Sequence, residues 1–305
     1  MKIGAVVVTY NRLEKLKKAL KAFEEQELLP AYVIVADNAS TDGTGAWLEA
    51  WKQQNAGFDK IVVTMDINRG GSGGFYAGIK RAMEQSADWI WVSDDDAYPQ
   101  RDAFRQASDY LDSCSDREHI SAICGKVIKN GKLDLNHGKY YYRKGIHICE
   151  AVVPESDYQK KEFPMGSFSY VGTIMNRKKL QEVGLPNQDY FIYWDDLEHG
   201  MRMKQAGKIL GVPAVVAYHD VGPENDGLNW KRYYAYRNMI DTYRRHFPGA
   251  CFVYFSLKIR IKLLLNRIRG SRSEDLNMLQ EAYTNAMQQK FGLHPVYRPG
   301  WKPGA

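Results

Sequence analysis

Apolar, β-branched runs open the chain. Ile3 to Val8 reads IGAVVV without polar interruption, the pattern of a strand covered on both faces in a parallel sheet. Leu13, Leu16, Leu20 and Phe23 then recur on one side of a predicted helix whose other side carries lysines, and Pro30 closes that unit. Tyr32 to Ala36 predicts a second buried strand, followed by DNASTDGT, which is rich in turn and N-cap residues. Next come a helix over Ala46 to Gln54, a third strand over Lys60 to Met65, and a helix opened by NRGGSGGFYAG that reaches Gln85. Ala87 to Val92 is a fourth strand and runs straight into Ser93-Asp94-Asp95-Asp96. Strands alternating with helices predict right-handed βαβ units in an α/β fold, a Rossmann-like, mostly parallel sheet flanked by helices.

After Arg101 the pattern loosens. A helix to Leu111 gives way to short mixed segments such as KYYYRKGIHICEAVV, read as added strands and loops. Strand character returns over Ser167 to Asn176, and RKKLQEVG predicts a short helix. DYFIYWDDLEHGMRMKQAGK reads as a loop entering a helix, ILGVPAVVAYH as a strand ending in His219, and the chain beyond Asn229 as mostly helical. The expected organisation is one domain over 1–225, divided near residue 98, and a basic helical region over 226–305.

Composition narrows the class. With 44% hydrophobic and 26% charged residues the chain is globular rather than disordered or fibrous. The N-terminus turns polar too soon for a signal peptide, and no run reaches the ~20 uncharged apolar residues of a spanning helix. Cys114, Cys124, Cys149 and Cys251 contain no C-x-x-C pair, which predicts reduced thiols in a cytoplasmic protein. The net charge of +6 is concentrated: Trp230 to Arg272 holds eleven Lys or Arg against one acid, Asp241. Within it, residues 249–272 interleave cations with large apolar side chains. Contact with an anionic membrane surface and a helix packed on its own protein both fit, and on a helical wheel the cations do not share one face.

In an open parallel sheet, ligands bind at the carboxyl ends of the strands. Four polar features are predicted there: Thr9-Tyr10-Asn11-Arg12, Asp37-Asn38-Ala39-Ser40, Asn68-Arg69-Gly70-Gly71 and Asp94-Asp95-Asp96. Three consecutive carboxylates repel one another, and a divalent cation is their natural neutraliser. Oxygen ligands point to Mg²⁺ or Mn²⁺, and a nitrogen from His219 would favour Mn²⁺. The glycine-rich stretch could bring backbone amides to a pyrophosphate, but glycines also serve helix–sheet packing. It is neither a Walker A loop nor a G-x-G-x-x-G after the first strand, which disfavours a dinucleotide oxidoreductase. A second acidic group, Trp194-Asp195-Asp196-Leu197-Glu198, could supply a general base or merely cap a helix.

Together VVVTYNR, DNASTDGT, NRGGSGGF, WIWVSDDDAYP, FIYWDDLEHGMR with its later YH, and YYAYRN resemble family 2 glycosyltransferases of the GT-A fold. The DDDA and WDD forms are most similar to bacterial galactofuranosyltransferases, with rhamnosyltransferases close behind. The resemblance implies a nucleotide-sugar-binding half over 1–98 and an acceptor and catalytic half over 99–225. It implies that Thr9, Asn11, Arg12, Asp37, Asn38, Asn68, Gly71, Asp94 and Asp95 line the nucleotide-sugar, with Asp37 accepting from the uracil. Asp94, Asp96 and His219 would hold Mn²⁺ or Mg²⁺, and Asp196 would be the catalytic base of an inverting displacement. Phe168, Tyr170, Trp194, Asp195 and Glu198 would face the sugar or acceptor, although Phe168 and Tyr170 lack the family's adjacent tryptophan pair. The implied reaction moves galactofuranose from UDP-galactofuranose to a glycan or lipid-linked glycan of a bacterial surface polysaccharide such as O antigen or cell wall. The implied location is cytoplasmic, on the inner face of the membrane if residues 249–272 bind there. The alternatives are dTDP-rhamnose as donor, a nucleotidyltransferase, or a basic nucleic-acid-binding protein. The last is disfavoured because two bare acid clusters would repel phosphate.

Overall fold

A computed structural model describes residues 1–222, 227–269 and 273–304. Four βα units build the first half: β1 (Ile3–Thr9), α1 (Leu13–Glu24), β2 (Tyr32–Asp37), α2 (Thr44–Lys52), β3 (Asp59–Thr64), α3 (Gly70–Met83) and β4 (Trp89–Asp94). A short β5 (Ala97–Pro99) and α4 (Ala103–Ser113) lead to the second half, with β6 (Ile120–Lys129), β7 (Lys132–Leu133), the hairpin β8 (Lys139–Lys144) and β9 (His147–Val152), β10 (Phe163–Met165) and β11 (Thr173–Asn176). Then follow α5 (Arg177–Val183), α6 (Asp195–Ala206), β12 (Lys208–His219) and the helices α7 (Lys231–His246), α8 (Gly249–Ile268) and α9 (Glu274–Met287). The expected domain boundary at residue 225 falls outside the described residues.

The main sheet runs β10-β12-β6-β11-β4-β1-β2-β3, with β5 against β12 and β7 against β6. β1, β2, β3 and β4 are mutually parallel, as their unbroken apolar runs require. β11 is antiparallel to both neighbours, so the sheet is mixed at its centre. The strand expected from Ser167 begins only at Thr173. Gly172 takes φ +69°, and a side chain there would meet the Ala217 methyl at 2.6 Å, so the preceding residues cannot continue a pleat.

Both faces of the sheet are covered. Leu16, Leu20 and Phe23 of α1 pack with Trp91 and Phe104 on one side, and Phe75 and Ile79 of α3 pack with Ile34 and Ile90 on the other. Gly74 and Gly78 of α3 lie against Val8 and Val6, where an added methyl would come within 2.4 and 2.5 Å. These two glycines therefore serve close helix–sheet packing. Beyond the sheet, Tyr233 and Tyr234 of α7 share an apolar cluster with Phe191, which ties the C-terminal helices to the second acidic motif.

Candidate active site

Because β1, β2 and β4 are parallel, Thr9, Asp37 and Asp94 all end on one edge of the sheet. The chain leaves β4 through a tight turn into β5, whose register places Ala97 opposite His219. That pairing carries His219, from the far end of the sequence, to within 3.6 Å of Asp96, measured from Nε2 to Oδ1. Arg12 donates to Asp95 at 3.2 Å and to Asp96 at 2.8 Å, Lys15 stands 3.5 Å from Asp96, and the Thr9 hydroxyl donates to Asp95 at 2.8 Å. Burial would raise all three carboxyls. For Asp96 the facing His219, Arg12 and Lys15 outweigh it and hold the group below its ordinary range. Asp95 is pushed up to about 6, chiefly by burial. Asp94 is raised well above its usual value by burial, then by Asp96 and Asp95, with Asp195 adding to the push.

The second acidic motif is built differently. Phe191, Tyr193 and Trp194 all adopt positive φ, between 64° and 70°, which non-glycine residues rarely tolerate. Asn238 of α7 stabilises that backbone by donating to the carbonyls of Tyr190, Ile192 and Tyr193 at 2.8 to 3.0 Å. Buried Arg237 donates to the Tyr190 carbonyl at 2.9 Å and the Gly292 carbonyl at 2.8 Å. The Arg-Asn pair of YYAYRN thus sculpts the loop that delivers Asp195 and Asp196 to the start of α6. Both carboxyls are raised: burial acts first on each, and for Asp195 the neighbouring Asp196 follows. Lys139 opposes the shift of Asp196 through its charge.

Beside Asp94 and Asp95 lies a cavity of about 270 Å³, lined by Thr9, Arg12, Asn38, Asn68 and Gly71 and roofed by Phe191, Ile192, Trp230 and Lys231. A larger cavity of about 700 Å³ opens at the opposite edge, by Met1, Trp89 and Arg177, where the strands β1 and β4 begin and neither acidic motif reaches.

The model of the family described as glycosyl transferase family 2 matches residues 5–183, more than half of the chain. The chain belongs to glycosyl transferase family 2. Its similarity extends to galactofuranosyltransferase GlfT1 of Mycobacterium tuberculosis, 27% identical over 261 residues that cover 77% of this chain and 80% of the relative. Abequosyltransferase RfbV of Salmonella typhimurium is 32% identical over 188 residues, 59% of this chain and 54% of the relative. Among solved structures, GalNAc-T7 with UDP, GalNAc and Mn²⁺ superposes with a TM-score of 0.67 at 13% identity, over 95% of this chain and 56% of that one. A mannosyltransferase of Pyrobaculum calidifontis with GDP-Man and Mn²⁺ gives 0.56 at 16% identity, over 95% and 86%. The fold is therefore GT-A, as the motifs implied.

Within this glycosyltransferase, Thr9, Arg12, Asn38, Asn68, Gly71, Asp94 and Asp95 meet at one cavity. Asn38 donates to Asn68 at 3.0 Å and to the Gly70 carbonyl at 2.8 Å, which shapes the glycine-rich loop against it. Asn11 and Asp37 stand behind that lining. The Asn11 side chain accepts from the Thr41 amide at 2.7 Å, and buried Asp37 accepts from the Ser40 amide at 3.0 Å.

The acceptor-side expectations for Phe168, Tyr170 and Glu198 are corrected. Phe168 and Tyr170 are 1% and 3% exposed, and Tyr170 bonds His199 at 2.7 Å. These rings belong to the core and have no surface to offer a sugar. Glu198 is held by Arg202 at 2.9 Å and His246 at 3.1 Å, which lowers its carboxyl to about 2 against the upward push of burial. It anchors α6. Trp194 is half-buried between Tyr141 and Tyr243, whereas the exposed aromatic ring is its neighbour Tyr193. The sequence reading also missed Lys231, whose ammonium lies 5.9 Å from the Tyr193 ring centre and 5.8 Å from that of Trp230. Burial, then Arg12, holds Lys231 below its ordinary range. Its one signal was its place two residues ahead of YYAYRN.

Proposed function

We propose that this glycosyltransferase is metal-dependent and inverting, and that it transfers galactofuranose from UDP-galactofuranose to a glycan or lipid-linked glycan. The observation that carries the reading is that Asp94, which lines the cavity, lies close enough to the second acidic group for the Asp195 charge to act on it, while the neighbouring Asp96 is met by Arg12 and Lys15. Asp94, Asp96 and His219 fit a divalent ion: two hard oxygen donors and an imidazole whose Nε2 already faces Asp96 at 3.6 Å. The ion, when bound, supplies Lewis-acid neutralisation of the leaving diphosphate. Arg12 and Lys231 flank the same position and add positive charge where the leaving group becomes more negative. Asp196 takes the proton of the acceptor hydroxyl as its oxygen attacks the anomeric carbon on the face opposite the leaving nucleotide. Burial keeps that carboxylate basic. The similarity to galactofuranosyltransferase GlfT1 supports the choice of donor.

Incubating the purified chain with UDP-galactofuranose, UDP-galactose or dTDP-rhamnose and short synthetic acceptors tests this. The expected outcome is transfer from UDP-galactofuranose that stops in a chelator and returns with Mn²⁺. Preferred use of dTDP-rhamnose would overturn the donor assignment, and full activity in chelator the metal dependence.

The acceptor is met at an anionic lipid surface through α8. Val253, Leu257, Ile261, Leu264 and Ile268 are exposed and recur along one side of this helix at three- and four-residue spacing. Lys258 and Lys262 flank one margin of the stripe, Arg260 and Arg267 the other, so the cations border the apolar face on both sides as snorkelling to headgroups requires. Residues 270–272 of the basic segment lie outside the described residues, and among the described ones no helix is long and apolar enough to cross a membrane. Sedimentation with anionic vesicles at low salt supports this arrangement; a chain left in the supernatant refutes it.

A further inference from the structure

Asp134 and His137 meet His219 outside the lining of the donor cavity. Asp134 caps the 3₁₀ turn Leu135–His137, and its Oδ1 accepts from the Asn136 amide at 3.0 Å and side chain at 2.8 Å. That leaves Oδ2 facing His137 Nε2 at 3.4 Å. The other nitrogen of His137 is fixed by the Ser169 hydroxyl at 2.7 Å. The His219 ring stands edge to face with His137, 5.3 Å between centres, and its Nδ1 is the buried nitrogen without a partner. One ligand atom from each of Asp134, His137 and His219 lies within 4.8 Å of the others.

We propose that Asp134, His137 and His219 form a second metal site, of the zinc type, whose loading withdraws His219 from the cation position at Asp94 and Asp96. Two imidazoles and one carboxylate suit zinc better than magnesium or calcium. A tetrahedral ion with bonds of ~2.1 Å separates its ligands by about 3.4 Å, the spacing already present between Asp134 and His137. Ser169 supplies the hydrogen bond that sets the ligand tautomer of His137. The orphan Nδ1 of His219 is the third ligand, and its Nε2–H remains turned to Asp96. An imidazole protonated on Nε2 has no lone pair there for an ion beside Asp96. Zinc in the second site therefore antagonises manganese in the first. An open cavity of about 490 Å³ lies on the Asp134 side, lined by Asp134 and Asn136 together with Lys129 and Lys132.

The test titrates zinc alone into the metal-free full chain by calorimetry, with cobalt(II) as the absorbing probe of four-coordinate geometry. Wild type and Asp96→Asn are expected to bind zinc alike. His137→Asn weakens it by more than about 100-fold and Ser169→Ala by roughly 10-fold. Zinc also inhibits transfer by the wild type and not by His137→Asn. Zinc affinity unchanged in His137→Asn, or lost in Asp96→Asn alone, overturns the site; inhibition that persists in His137→Asn overturns the antagonism. UDP binding reports folding of each variant, and if His137→Asn loses it, Ser169→Ala decides: weakened zinc supports the site and unchanged zinc refutes it. The site shares His219 with the transferase reading, yet zinc is the ligand measured. UDP and manganese binding with no zinc site sinks this proposal alone.

Discussion

The two acidic motifs hold similar residues, and Asp96 of the first behaves in the opposite way to Asp196 of the second. Around Asp96 the fold gathers Arg12, Lys15 and His219, and the carboxyl stays ionised in spite of its burial. Around Asp196 no cation comes into ion-pair contact among the described residues; the Leu197 amide and the charge of Lys139 oppose burial without overcoming it. Carboxylates that meet cations are suited to bind an ion or a charged phosphate. Those left to the low dielectric are suited to exchange a proton near neutral pH. Local environment, rather than residue type, divides the labour.

The hardest test of that division is Asp196→Asn, which is expected to cut kcat by about 10²- to 10⁴-fold and leave UDP affinity unchanged. Normal turnover in this variant would remove Asp196 from the role of base. Lys231→Met removes a cation from the first group alone, and should lower kcat by about 10²-fold with little change in the pH profile. A shifted acid limb instead would mean that Lys231 acts on the second group.

Smaller effects concern protons. A base must be ionised, so activity should rise with pH through the raised carboxyl of Asp196, with its acid limb above the ~4 of an ordinary carboxylate. Asp195→Asn should leave this limb in place, because Asp195 is raised further than Asp196 and is still protonated where Asp196 ionises; a limb that moves to lower pH would mean that Asp195 is charged there. The same substitution should act on stability. The folded state holds the Asp195 proton more tightly than the unfolded chain, so this contribution is complete below the unfolded value and is lost as pH rises through the folded one. At pH 8 the variant is therefore expected to melt higher than wild type by about 2 °C, the effect of ~1 kcal/mol in a chain of this size, with no gain near pH 3. A lower melting temperature at pH 8 would mean that the buried carboxylate is compensated.

The first half of the molecule was legible because its strands are covered on both faces. Runs such as Ile3 to Val8 and Ala87 to Val92 then announce both a strand and its place in the sheet, and the polar residues that follow must fall on the ligand-binding edge. The second half resisted because its meaning lies in contacts. Phe168 and Tyr170 have the same letters whether they form a sugar platform or fill the space beside Phe75. Glu198 resembles a third acid until Arg202 and His246 are seen on it. Lys231 is one cation among many, and becomes specific only when α7 is laid beside the loop of Tyr193. Asp134 and His137 meet His219 through strand order alone, which no sequence spacing encodes.

The clamp of Asn238 on residues 190–193 has a temporal consequence. A nascent chain that has emerged as far as β12 already carries every carboxylate of both motifs. Until α7 arrives, the left-handed backbone ahead of Asp195 keeps the Ser72 amide on the Phe191 carbonyl but lacks the three Asn238 hydrogen bonds. Synthesis thus completes the sheet that carries both acidic motifs before the roof of the cavity, Trp230 and Lys231, and the clamp on the second motif can be laid over it.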